Sequence, residues 1–178
     1  STSTPKPITS AHPILIAGGG IGGLCAALVL AQDGYPVIVL EQADKFGEIG
    51  AGIQLGPNIF KMFEYIGLSA AIDAVAYYPP AVRMHDVRTG EQVVSMPMRD
   101  ASGNSISQAT YGYPYGVIYR ADLHDVFLRA CQAQANVTLR TGAKVKGYEQ
   151  SDNGVTVTLD NGETLQGRAL LGADGLWS

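Results

Sequence analysis

Apolar residues change their spacing along this chain, and each change marks an element. Ile14-Leu15-Ile16-Ala17 is a continuous apolar run of strand length that ends in the cluster Gly18-Gly19-Gly20. Behind the glycines the period becomes helical. Leu24, Ala27, Leu28 and Ala31 fall on one face, which predicts a helix over about 22–32, and Asp33-Gly34 supplies the stop. A second apolar run, Val37-Ile38-Val39-Leu40, then delivers Glu41 at its carboxyl end. Pro57-Asn58 opens another helical stretch with Ile59, Met62, Phe63 and Ile66 on one face, and a short helix over 69–76 follows.

From Ala81 the alternation has period two. Val82 and Met84, then Val93, Val94, Met96 and Met98, flank Thr89-Gly90-Glu91, which predicts a hairpin over about 81–98. Residues 99–110 are polar and read as a loop, and Tyr111 to Gly116 as an aromatic-rich turn before a strand over 117–119. A helix follows Arg120, with Leu123, Val126, Phe127 and Ala130 inward and His124 on the exposed face. Further strands are expected over 137–140, 144–149, 155–159 and 168–171, the middle ones joined through Asn153-Gly154 and Asp160-Asn161-Gly162.

The first three elements carry the clearest chemistry. Gly18, Gly20 and Gly23 satisfy G-x-G-x-x-G between a strand and a helix, and Glu41 closes the next strand about twenty residues on, the order of a dinucleotide-binding βαβ unit. Gly18 allows the tight turn, Gly20 allows a pyrophosphate to approach the backbone, and Gly23 allows close helix–strand packing. The helix N-terminus presents free N–H groups to the phosphates. A carboxylate accepts from the two ribose hydroxyls and repels a 2′-phosphate, so Glu41 points to FAD or NAD. Arg120, where a strand meets a helix, suits a phosphate or a ring carbonyl, or equally an ion pair with Asp122 or Asp125. Asp174, between glycines at a strand's carboxyl end, sits where doubly wound folds bind ligands. His85 reads as a solvated strand residue.

Composition narrows the class. The 178 residues suit one domain, and 22 glycines concentrated in turns and motifs suggest close contact between backbone and ligand. A net charge of −4 gives no basic footprint for nucleic acid or an anionic membrane, and no run nears the ~18 apolar residues of a membrane span. Cys25 and Cys131, without C-x-x-C spacing or nearby histidines, read as reduced structural thiols of a cytoplasmic protein, and no metal site is expected. Residues 1–11 read as a flexible leader.

Taken together, the Gly18-to-Gly23 motif, Glu41, Gly50-Ala51-Gly52 with Pro57-Asn58, Tyr119-Arg120-Ala121-Asp122-Leu123 and Gly172-Ala173-Asp174-Gly175 resemble the class A flavoprotein aromatic hydroxylases. The resemblance runs from about residue 13 to 178. It implies an α/β fold: a Rossmann-like FAD-binding βαβ domain with added antiparallel strands, a truncated form of the p-hydroxybenzoate hydroxylase-like FAD/NAD(P)-binding fold. It implies that Gly20, Gly22 and Gly23 face the FAD pyrophosphate, that Glu41 binds the adenosine ribose, and that Gly18 and Gln42 belong to the same cofactor site. Gln54 would approach the flavin side, Arg120 would contact FAD, the Val145 backbone would lie near the adenine, and Asp174 would help hold FAD and the nicotinamide cofactor.

The activity so implied is hydroxylation of a small phenolic or aromatic acid, of the 3-hydroxybenzoate or salicylate kind, with NADH or NADPH and O2. Residues 12–178 would be the N-terminal part of the FAD-binding domain, with the hairpin over 81–98 contributing to a substrate domain. Catalytic residues are expected in a C-terminal half that is absent, and a homodimer is an expectation. Alternatives are an FAD-binding fragment with no activity of its own and an NAD-dependent dehydrogenase.

Overall fold

The computed structural model describes residues 12–47 and 49–175. The expected leader, 1–11, and the three residues after the closing motif, 176–178, lie outside the described residues. In chain order the first elements are β1 (Ile14–Ala17), α1 (Ile21–Gln32), β2 (Val37–Leu40), β3 (Gly52–Leu55), α2 (Pro57–Tyr65), α3 (Ser69–Asp73), β4 (Ala81–His85) and β5 (Gln92–Pro97). They are followed by α4 (Ile106–Tyr111), β6 (Gly116–Tyr119), α5 (Arg120–Gln132), β7 (Val137–Arg140), β8 (Val145–Ser151), β9 (Gly154–Leu159), β10 (Thr164–Gly167) and β11 (Ala169–Gly172). Two units emerge from the packing of the described residues, one of residues 12–47 with 124–175 and one of residues 49–123.

The first unit is built on a parallel sheet of order β11-β1-β2-β7. β1 is buried at every position, which is why its sequence is an unbroken apolar run with no alternation. Side chains alternate across the sheet, so Leu15, Leu40 and Leu170 share one face, paired in register through Ile38 and Ala17. That face forms a core with Val155, Val157 and Leu159 of the antiparallel sheet β10-β9-β8. α1 lies against β1, β2 and β7, burying Leu24, Ala27, Leu28 and Ala31 as the helical period requires.

One strand escapes the sequence reading. Instead of a single strand over 168–171, the chain makes β10 antiparallel to β9 and then β11 parallel to β1, changing sheets at Arg168. Gly167 stands at the switch, where a Cβ would lie 2.6 Å from Leu15 Cγ and 3.0 Å from the Pro13 carbonyl. β10 is an edge strand with only Leu165 turned into the core, too little alternation to register as a strand.

In the second unit, β3 and β6 form an antiparallel ribbon, and β4 and β5 the expected hairpin, with a bulge between Met84 and His85. His85 is exposed and its Nδ1 lies 3.0 Å from the Gly90 carbonyl, closing the hairpin turn. Of the glycines at 47, 50, 52 and 56, Gly52 opens β3 and Gly56 is the N-cap of α2. α2 buries Phe60 and Phe63, edge to face at 5.8 Å, where the sequence put Ile59 on the inner face; Ile59 is only half-buried. Phe60 is drawn in by Gly116, whose bare Cα leaves room for the ring on β6. The segment 99–110 is not all loop. Asp100 gathers the N–H groups of Ser102 and Asn104, and Ser105 then caps α4 by accepting from Gln108 N–H at 3.2 Å. α4 buries none of its residues, so it has no apolar period to betray it.

α5 also differs from expectation. Leu123, Val126 and Phe127 are buried as predicted, but the inner face includes His124 and Cys131 while Ala130 is half-buried. His124 and Cys131 are seven residues apart and bracket Phe127, a stripe at helical spacing in its own right.

Candidate dinucleotide site

The glycine turn is fixed by contacts that only glycine permits. Gly18 has φ +110°, and a Cβ there would fall 2.3 Å from the Ala173 carbonyl oxygen. Its N–H donates to Leu40 O at 2.8 Å, while Ala173 N–H donates to Ala17 O at 2.7 Å, so the turn is pinned between β2 and the loop after β11. A Cβ on Gly23 would stand 1.9 Å from Gly18 O, so α1 packs directly on the turn it leaves. Gly22 is exposed with open space around it, and Gly20 is the N-cap of α1. No side chain caps α1 and its first turn carries no acid, so the helix start keeps its positive end for an anion.

Glu41 reaches back to this turn. Its Oε2 accepts the Gly19 N–H at 2.7 Å and its Oε1 accepts the Ala43 N–H at 2.9 Å. Its own N–H donates to Arg140 O and its carbonyl accepts from Ala143 N–H, both at 2.8 Å, so backbone and side chain are both fixed. Each carboxylate oxygen has a second lone-pair direction, enough for a pair of ribose hydroxyls. Gln42 follows in an exposed bend.

The structure thus gathers Gly18, Gly20, Gly22, Gly23 and Glu41 at the carboxyl ends of β1 and β2. Val145 and Asp174 line a different part of the same unit, a cleft of about 790 Å³ that also includes Ala17 and Gly172. Val145 opens β8 with its side chain packed on the core, which leaves its backbone as the group to offer a ligand. Asp174 is exposed in the loop after β11. Gln54 and Arg120 belong to the second unit. Gln54 lies exposed on β3 opposite Val117; Arg120 N–H donates to Ala51 O at 3.3 Å, and a Cβ on Gly50 would meet Arg120 Cδ at 3.0 Å. The Gly50 loop therefore rests on the arginine. Asp125 pairs with Arg129 at 2.7 Å.

Two residues at the turn were missed by sequence reasoning. Gly19 is an unspecified position of the motif, yet a Cβ on it would lie 2.4 Å from the Phe46 ring and 2.9 Å from Glu41 Oε2. His124, expected on the surface, is 2% exposed with Nε2 2.8 Å from Gly19 O. The signal for Gly19 was the glycine triplet itself; His124 had none, since its partner Gly19 O lies 105 residues away in sequence. A separate cavity of about 630 Å³ in the second unit is walled by Phe60, Tyr78 and Tyr113, whose hydroxyls donate to Asp73 (Tyr78) and Glu64 (Tyr113). None of the predicted site residues lines it.

A parallel sheet carrying a glycine turn, an uncapped helix start and a strand-end glutamate defines a dinucleotide-binding protein, and comparison with known proteins gives its family. Residues 11–178 match the FAD binding domain family, and the chain belongs to it. Among curated relatives, 3-hydroxybenzoate 6-hydroxylase of Polaromonas naphthalenivorans (strain CJ2) is 43% identical over 93% of this chain and 40% of its own length. 3-Hydroxybenzoate 6-hydroxylase 1 of Aquipseudomonas alcaligenes is 41% identical over 93% of this chain and 41% of its own. The chain therefore spans about two fifths of the length of the curated relatives it matches. The crystal structure of p-nitrophenol 4-monooxygenase from Pseudomonas putida DLL-E4 aligns with a TM-score of 0.80 over 94% of this chain and 42% of that one, at 23% identity, a likeness of fold. The fold is that of the FAD-dependent monooxygenases of the p-hydroxybenzoate hydroxylase-like type.

Proposed function

We propose that this chain holds the adenosine diphosphate half of FAD, as part of a monooxygenase that hydroxylates a small phenolic or aromatic acid with NADH or NADPH and O2. The observation that carries the reading is the Glu41 carboxylate fixed on the Gly19 N–H beside an uncapped helix start. Flavin, when bound, supplies the oxygen-activating chemistry. The residues of this chain bind and orient it. The start of α1 and the Gly20 backbone meet the pyrophosphate, Glu41 with Gln42 the adenosine ribose, and the Val145 backbone the adenine. Gln54, Arg120 and Asp174 complete the cofactor contacts. Substrate of the 3-hydroxybenzoate kind is supported by the 43% and 41% identical relatives. The hairpin β4–β5 belongs in this reading to a substrate domain, and the protein is a cytoplasmic homodimer. Free Cys25 and Cys131 suit a reducing compartment.

The test is product analysis on the whole protein supplied with FAD, NADH, O2 and 3-hydroxybenzoate. A dihydroxybenzoate formed in step with NADH consumption supports the reading. Reduction of NAD by a hydroxylated substrate without O2 uptake would establish a dehydrogenase instead.

A further inference from the structure

His124 is a buried titratable side chain that no part of the cofactor reading uses. We propose that His124 is a positioning residue for the phosphate-binding turn: its Nε2–H holds the Gly19 carbonyl and thereby aims the Gly20 N–H at the pyrophosphate. This rests on the reading of that turn as the FAD site.

The geometry is specific. A carbonyl oxygen only accepts, so the contact of 2.8 Å between Nε2 and Gly19 O requires the proton on Nε2. Gly19 C=O and Gly20 N–H belong to one planar trans peptide and point in opposite directions. Holding the oxygen on α5 therefore turns the Gly20 N–H away from α5, at the N-cap of α1. The preceding peptide is held at its other end, since Gly19 N–H donates to Glu41 Oε2 at 2.7 Å. Two successive peptides are clamped, one by the carboxylate after β2 and the other by the imidazole of α5.

Such clamps answer a need of the sequence. Three consecutive glycines have more backbone freedom to lose on ordering than any other triplet, and none has a side chain with which to anchor itself. Gly18 is fixed by sterics and by its bond to Leu40 O. The Gly19–Gly20 peptide is the next link, and His124 reaches it from 105 residues away in sequence.

The experiment compares His124→Gln, whose amide nitrogen can stand in for Nε2, with His124→Leu, which keeps bulk and removes the donor. On the full chain as purified, three quantities are read: the thermal midpoint without cofactor, affinities for FAD and ADP by titration, and 15N heteronuclear NOEs of Gly19 and Gly20. His124→Leu should weaken FAD and ADP by about tenfold or more, the loss expected for one buried hydrogen bond, and lower both NOEs; His124→Gln should recover both. Should the Leu variant fail to fold, His124→Asn, too short to reach Gly19, takes its place with the same expected losses. Rigid Gly19 and Gly20 amides in the Leu or Asn variant, or equal impairment of Gln and Leu, would overturn the proposal. Wild-type protein that binds neither FAD nor ADP would instead overturn the cofactor reading, and the NOE comparison would still decide the role of His124.

Discussion

Gly18, Gly19, Gly22 and Gly23 look alike in the sequence and differ completely in their surroundings, which makes substitution a way to separate folding from binding. Gly18→Ala and Gly23→Ala drive a methyl into the Ala173 and Gly18 carbonyls and should destabilise the fold by about 1–3 kcal/mol or more. Gly22→Ala meets open space at an exposed position inside α1, so it should hold or raise the thermal midpoint; in the proposed reading, where Gly22 faces the pyrophosphate, the same methyl should weaken FAD. Calorimetry beside FAD titration distinguishes them; a Gly22→Ala protein with undiminished FAD affinity would remove Gly22 from the site. Glu41→Ala strips the acceptor from the buried Gly19 N–H and, in the proposed reading, from the ribose as well. It should cost about 1–3 kcal/mol in FAD affinity, with a smaller effect for Glu41→Gln, which retains one acceptor oxygen. Unchanged FAD retention by Glu41→Ala would contradict the ribose assignment.

Elements that bury a stripe or a full strand were legible, and those that bury little were not. β1, α1 and β2 could be read because each is driven by apolar burial at a single period, and the glycine turn because its spacing is a backbone requirement. β10 and α4 were hidden by having one and no core-facing residues, respectively. His124 was hidden for a different reason: a polar side chain buried against a distant carbonyl leaves no mark on local hydropathy. Cys131 on the same helix makes a pH prediction. Burial pushes its thiol from 9.0 up to about 11, with the neighbouring Cys25 adding to the shift, and its Sγ–H donates to Leu24 O at 3.2 Å. The raised value favours the neutral thiol in the folded state. Its stabilisation is complete below pH 9 and is lost as pH rises towards 11, where the unfolded chain has released the proton that the folded chain keeps. Denaturation midpoints measured across that window should fall, and Cys131→Ala should flatten the fall. Native protein at neutral pH should react slowly with a thiol reagent at Cys131, and labelling as fast as in denaturant would contradict the burial.

At the scale of the molecule, the hairpin and the dinucleotide turn make separate claims. Val82 pairs with Met96 and Met84 with Val94, placing four apolar side chains on one face of β4–β5, of which Met84 is 59% and Met96 45% exposed. An apolar stripe of this kind favours association. Sedimentation should show this chain self-associating with concentration, and Met84→Lys with Met96→Lys should suppress it; equal association of the variant would place the contact elsewhere. The central claim, that the turn and Glu41 hold the adenosine diphosphate half of FAD, is tested most directly by fluorescence titration of the purified chain with FAD and with FMN, each followed by ADP competition. FAD should bind and be displaced by ADP while FMN, which lacks the adenosine half, should bind far more weakly. FMN binding as tightly as FAD, or FAD binding that ADP does not disturb, would contradict the account.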